Sequence, residues 1–429
     1  MRALLRVLVV VAVAASAGAA TPSYATGDTP MRKVGYFTQW GIYGRQFPVK
    51  NVDTSGAAAQ LTHINYAFGN VNAEGRCFEA NIPGEGDAWA DYQRPVPASE
   101  SVDGVGDNWG EPLNGNFGQL LKLKQKHPHL KVLMSLGGWT WSTYFSNAAL
   151  PENRAAFVAS CLDLFIKGNL PVLDGGSGGP GSAFGVFDGI DLDWEWPAWE
   201  GEPGNVIRPA DRENFTALLA EFRKQLNALG RANRKHYELT AFLPANAAVM
   251  DAGYEGDKIF RYLDFATVQG YDFHGTWERI TNQQSALRSP DDSVTQVVSD
   301  WMRRGAPARK IVVGIPYYGR GWTGVSGGGD GIRQPATGPA PATYEAGYED
   351  YKVLATKAGN GYTLHRSLRE GHAWLFDGTT FWTYDDPAVV LQKALHIRLH
   401  GLGGAMMWSL DGDTADATLT KTISFGLGR

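Results

Sequence analysis

The segment FDGIDLDWEWP, residues 187–197, sets Asp188, Asp191, Asp193 and Glu195 among large apolar side chains. Carboxylates this close repel one another and resist burial, so a chain that keeps them together must use them. Strand side chains alternate between faces, which places Asp191, Asp193 and Glu195 on one face and Ile190, Leu192 and Trp194 on the other. Asp188 has the opposite parity unless the strand bends. Crowding and partial burial raise carboxyl pKa values. The end member, Glu195, is therefore suited to hold a proton near neutral pH and deliver it as a general acid. A cage for a hard metal ion and a solvated strand end are the alternatives. The flanking Trp194, Trp196 and Pro197 speak against a solvated end, and catalysis is the reading preferred to a metal.

Chemistry of this kind needs a scaffold. Short apolar segments begin at Lys33 (KVGYF), His63 (HINYAF), Lys131 (KVLMSLGG), Phe187 (FDGIDLDWEW), Tyr237 (YELTAFL), Phe265 (FATVQGYD), Ile311 (IVVGIPYYG) and Gly403 (GGAMMWSL). Helical patterns lie between them, at residues 117–127, 154–167, 212–229, 294–304 and 387–399. Strands alternating with helices imply parallel pairing, and eight such units imply an α/β fold, the (β/α)8 TIM barrel, with its site at the C-terminal strand ends. The barrel is expected to occupy residues 32–429. Residues 69–115, rich in Gly, Pro, Asn and Asp, read as a long loop over the barrel mouth. Residues 321–383 carry β-like runs of their own (TLHRSL, AWLFDG, TTFWTY). A structureless loop of that size is improbable, so they read as a small α+β insertion between strands seven and eight.

The 429 residues are 43% hydrophobic, enough for a large core, and the net charge of −5 comes without any basic block that would imply nucleic acid. Residues 1–25 carry early arginines, an apolar run and then small residues, the pattern of a secretory signal cleaved after Ala19 or Ala25. No segment is long and apolar enough to span a bilayer, so a secreted protein with no membrane partner is expected. Export permits a disulfide between Cys77 and Cys161, but Cys161 also fits a buried free thiol on an amphipathic helix, and the sequence leaves the pairing open. No P-loop, HExxH pair or dinucleotide fingerprint is present, so no cofactor and no metal is expected. GxSxG occurs at residues 175–179 and 324–328, within Gly-rich loops rather than the strand–turn–helix that a nucleophile elbow requires.

DGIDLDWEWP resembles the DxxDxDxE signature of family 18 glycoside hydrolases, the chitinases. SLGGWTWS (135–142) is similar to the family's third-strand SxGG motif, GYDFHG (270–275) to its sixth-strand YD motif, and GIPYYGRGW (314–322) and GGAMMWSLDGD (403–413) to its seventh and eighth strands. The inserted segment resembles the insertion domain of the deep-cleft subfamily. The resemblance implies Glu195 as proton donor, Asp193 as the group that orients and stabilises a substrate N-acetyl group, and Asp191 as its proton-sharing neighbour. It implies Tyr271 and Asp272 as holders of the acetamido group, Arg320 as a sugar ligand near the cleavage point, Trp408 as the floor of the −1 subsite, and Trp139 and Trp277 as stacking platforms. Gln269 stands where many relatives have Met, and a polar side chain there is a further candidate for sugar contact. His274 lies beside these positions, open to either a substrate or a structural role.

The implied reaction is retaining and substrate-assisted, an exception to the two-carboxylate scheme. The implied partners are chitin and chitooligosaccharides, acted on by a monomer. An endoglycosidase for N-glycans is a second reading, disfavoured by the insertion. A lectin-like binder is a third, disfavoured because the proton donor is retained. No separate chitin-binding module is expected, since little chain flanks the barrel segments.

Overall fold

The computed structural model describes residues 30–173 and 176–428, and the expected signal segment at residues 1–25 lies outside the described residues. The barrel strands are β1 (Arg32–Thr38), β2 (His63–Val71), β3 (Lys131–Gly137), β4 (Gly189–Asp193), β5 (Glu238–Leu243), β6 (Phe265–Val268), β7 (Ile311–Pro316) and β8 (Gly404–Trp408). Each pairs in parallel with the next, and β8 returns to β1, closing a (β/α)8 barrel. Strands covered on both faces have little reason to alternate, and β5 and β7 are buried at every position.

The outer helices are α1 (Gly115–Lys126), α2 (Pro151–Cys161), α3 (Asp211–Asn233), α4 (Val294–Arg303), α5 (Pro387–Leu399) and α6 (Thr418–Leu427). The longest, α3, buries Phe215, Leu218, Leu219, Phe222 and Leu226, one helical stripe turned to the barrel. Its first turn carries Asp211 and Glu213, which suit the positive helix end, and it stops where Arg234 turns left-handed. The pattern expected from residue 154 begins earlier, at Pro151, whose fixed φ fits the first helical turn. Helix α6 was not expected from the sequence. It buries Leu419, Ile423 and Leu427, with Gly426 set close against Ala394 and Leu391 of α5.

Between β7 and β8 the chain builds a second, antiparallel sheet whose central strands are Tyr318–Thr323, Phe381–Tyr384 and His372–Phe376. Trp322, Val325, Trp374, Phe376 and Phe381 form a small core of its own. This sheet starts directly after β7, a few residues before the expected 321, because Tyr318 already pairs with Asp350. The long segment after β2 carries short strands at Cys77–Phe78, Asn81–Ile82 and Gly86–Asp87 and a wide turn at Trp89–Gln93. Its start is bonded to α2 by a disulfide between Cys77 and Cys161, which answers the question the sequence left open.

Candidate active site

The acid file stands at the C-terminal end of β4. Strand register sets Ser135 of β3 and Thr240 of β5 on either side of Asp191. Asp191 accepts hydrogen bonds from Tyr36 Oη (2.9 Å), Ser135 Oγ (2.8 Å) and Thr240 Oγ1 (2.5 Å), so the two flanking strands, β3 and β5, and β1 across the barrel hold one carboxyl. It is fully buried, and burial raises its pKa while these hydroxyl bonds act against the rise. Asp193, two residues on, is also buried, and its Oδ1 has no hydrogen-bond partner among the described residues. Burial, then the charges of Glu195 and Asp191, push it well above the usual carboxylate range.

Glu195 follows at the mouth. Burial, then the charge of Asp272, push it up to about 8. Its backbone is clamped: Ser142 Oγ accepts from the Glu195 N–H at 2.8 Å, and Asn205 Nδ2 donates to the Glu195 carbonyl at 3.0 Å. Ser142 Oγ donates in turn to the Gly138 carbonyl at 2.8 Å. Gly137, in the SLGG run, has φ 106°, and a Cβ there would overlap the Asp193 carbonyl, so only glycine lets the end of β3 lie against the acid file.

Across the mouth, Asp272 takes a bidentate bond from Arg320, Nε to Oδ1 at 2.8 Å and Nη2 to Oδ2 at 2.9 Å. Tyr318 Oη adds a third at 2.7 Å. Arg320 comes from the first strand of the inserted sheet, and its guanidinium lies over the rings of Trp277, Tyr318 and Tyr348. Tyr271 is buried between Phe242 and Tyr318. Burial, then the charges of Asp193, Asp272 and Glu195, raise its pKa well above that of a free phenol. Trp408, the last residue of β8, stacks on Phe68 at 5.7 Å and meets Tyr36, the donor to Asp191, at 5.1 Å.

The structure thus brings together Asp191, Asp193, Glu195, Tyr271, Asp272, Arg320 and Trp408. Trp139, just after β3, and Trp277, in the loop after β6 with the Arg320 guanidinium over its ring, are exposed. Gln269 is differently placed: its Oε1 accepts from the Ala245 N–H at 3.2 Å, which ties β5 to β6. His274 is held by Glu278 at Nδ1 (2.9 Å) and by Asn282 at Nε2 (3.2 Å). Asp188 is not part of this group. It sits at the opposite, N-terminal end of β4, accepting from the Val132 N–H (2.8 Å) and pairing with Lys124 (2.7 Å) and Lys235 (2.6 Å).

Sequence reasoning missed Tyr36, Thr240 and Tyr318. The partners of Tyr36 and Thr240 are fixed only by closure and register of the barrel, and that of Tyr318 by the way the inserted sheet turns back onto the loop after β6. Chemically, the arrangement offers one carboxyl fixed by hydroxyls, one with a free oxygen, and one at the mouth that keeps its proton to about 8. Aromatic faces and an Arg–Asp pair surround them.

The chain is similar over most of its length to chitinases. Over 397 residues it is 42% identical to Chitinase C of Streptomyces lividans, covering 90% of this chain and 58% of that protein. It is 41% identical to Chitinase 63 of Streptomyces plicatus, covering 92% of this chain and 60% of that protein. The chain therefore spans about three fifths of the length of these relatives. Among solved structures, the catalytic domain of psychrophilic chitinase B from Arthrobacter TAD20 superposes with a TM-score of 0.87 at 47% identity, covering 92% of this chain and 95% of that one. The model of glycosyl hydrolases family 18 matches residues 32–413, from the first barrel strand to just past the eighth, and the chain belongs to that family.

Proposed function

We propose that this protein is a secreted chitinase that hydrolyses β-1,4 links between N-acetylglucosamine units with retention of configuration. The observation that carries the reading is the acid file itself. Asp193 has an oxygen with no hydrogen-bond partner among the described residues, and it lies between a carboxyl fixed by hydroxyls and a glutamate that holds its proton to about 8. Glu195 donates that proton to the leaving glycosidic oxygen. The substrate's 2-acetamido oxygen attacks the anomeric carbon, and a cationic oxazolinium forms. The Asp193 carboxyl receives the positive N–H of that ion. Asp191, which shares a proton with Asp193, keeps its own place through Tyr36, Ser135 and Thr240. Glu195, now a carboxylate, takes a proton from water, which attacks the same face and restores the β configuration.

Tyr271 and the Asp272–Arg320 pair enclose the acetamido group, Trp408 is the floor beneath the sugar, and Trp139 and Trp277 are platforms for neighbouring units. The arginine-led apolar segment at residues 1–25 supports export.

Partly deacetylated chitosan tests the mechanism. Every new reducing end is expected to carry an N-acetylated unit, and early products are expected to be β anomers. Mass-spectrometric sequencing and early-time NMR read both. Free glucosamine at many new reducing ends, or α products, would overturn the substrate-assisted route.

A further inference from the structure

The ladder from β4 to β3 runs to Asp193 and that to β5 only to Leu192. Glu195 lies past the end of both, where neither strand supplies a partner for its peptide groups. Side chains take them instead. The Ser142 hydroxyl accepts from its N–H at 2.8 Å, and the Asn205 amide donates to its carbonyl at 3.0 Å. The Glu195 carboxyl itself has no hydrogen-bond donor among the described residues. Its aim is therefore set through its backbone, whereas the Asp191 carboxyl is held directly by three hydroxyls.

The two clamping side chains come from different segments. Ser142, between β3 and α2, is fully buried, and its one hydroxyl proton has two carbonyls in reach, Gly138 at 2.8 Å and Asp193 at 3.2 Å. One side chain thus touches the backbone of both Asp193 and Glu195. Asn205 lies between β4 and α3, in a segment that passes so close that a Cβ on Gly201 would fall 2.1 Å from the Glu195 carbonyl oxygen. The two segments are also joined to each other, beginning one residue further on, where the Val206 N–H donates to the Thr143 carbonyl at 3.0 Å. Arg208 continues the seam by donating to Ser146 Oγ (2.7 Å) and Asn147 Oδ1 (2.8 Å), and Ser146 donates to Asp211 at 2.6 Å. Trp194, between the two acids in sequence, stacks on Phe145 of the same seam at 5.6 Å. Residues 142–147 and 205–211 close around Glu195 as one bracket.

We propose that Ser142 and Asn205 are positioning residues for Glu195: they fix its peptide groups so that its carboxyl meets the leaving glycosidic oxygen in transfer geometry. The inference rests on Glu195 being the proton donor. Proton transfer needs the two heavy atoms about 2.6–3.2 Å apart. A displacement of about 1 Å costs on the order of 10²-fold in rate. A leaving group that departs without a proton makes no such demand.

Two substrates separate positioning from general support of the fold. The value of kcat/KM reports the steps up to departure of the leaving group. An N-acetylglucosamine tetramer needs a proton on its leaving oxygen, whereas the dinitrophenyl glycoside of the dimer releases a stable phenolate without one. Ser142→Ala and Asn205→Ala are each expected to lower kcat/KM for the tetramer by about 10- to 100-fold and to leave it within about threefold for the glycoside. In a Glu195→Gln background either substitution is expected to cost the tetramer no more than about twofold further, because no proton is left to aim. Equal losses on both substrates, a further loss in Glu195→Gln as large as in the wild type, or no loss on the tetramer overturns the positioning role. If Ser142→Ala, at a sealed position, does not fold, Asn205→Ala, at a partly exposed one, decides by the same comparison. Glu195→Gln alone is the reference. If it loses tetramer and glycoside alike, the donor reading falls and the positioning role with it. If it spares the glycoside while the alanine variants do not, the positioning role alone falls.

Discussion

The two ends of the barrel use the same residue types in opposite ways. At the N-terminal end, Asp188 meets Lys124 and Lys235, and Glu238 meets His63 (2.9 Å) and Lys131. Burial alone would raise Glu238, yet bonding and charge from His63, then Lys131, bring it down to about 2. At the C-terminal end, on the same strand as Asp188, Asp191 meets hydroxyls and Asp193 and Glu195 meet chiefly other acids, and all three are raised. Burial acts at both ends, so the sign of the shift is set by whether the partner is a cation. Carboxylates paired with cations serve as bolts. Carboxyls left with acids and hydroxyls keep protons that can be moved.

The largest expected break of this contrast is Glu195→Gln. An amide cannot deliver a proton, so kcat is expected to fall by about 10²–10⁴ while the circular dichroism spectrum stays that of the wild type. A variant keeping more than about a tenth of kcat would remove Glu195 from the donor role. The same substitution sharpens the contrast in stability. Glu195, pushed up to about 8, contributes fully below its unfolded value and loses that contribution as pH rises through about 8. Glu195→Gln is therefore expected to melt at or above the wild-type temperature in alkaline buffer, and the wild type's activity to decline through the same range.

Asp193→Asn comes next. It is expected to lower kcat and to displace the pH–rate profile, because the shared proton and the partner of the cation are both lost; a profile unchanged in both limbs would rule out coupling. At the other end, Glu238→Gln is expected to leave kcat near wild type and to cost about 1–2 kcal/mol at neutral pH by denaturant titration, with Lys131 half exposed and so worth less than a sealed partner. Glu238's contribution is present above its unfolded value and is lost as pH falls through about 2, so the gap between the variant and the wild type should close in acid. Last, with the least expected effect on turnover, Asp188→Asn retains an acceptor for Val132 but takes the counter-charge from the largely buried Lys124, and is expected to cost about 1–2 kcal/mol with no change in kcat. Loss of turnover there would mean that the two ends are not independent.

The sequence by itself determined what depends on local geometry. Period-two alternation put Asp191, Asp193 and Glu195 on one face, and the run of apolar segments and helical stripes gave the barrel its order. The resemblance to the motifs of family 18 also marked Tyr271, Asp272, Arg320 and Trp408. The tertiary structure alone decided what depends on closure and register. It chose the three hydroxyls that hold Asp191, which come from β1, β3 and β5. It bent Arg320 back from the inserted sheet onto Asp272, turned Gln269 to the Ala245 backbone and bonded Cys77 to Cys161. Asp188 shows the limit most plainly: three residues before Asp191, it lies at the far end of the same strand, among lysines contributed by α1 and by the loop after α3. A carboxyl's charge depends on what stands across from it, and only the closed barrel supplies that partner.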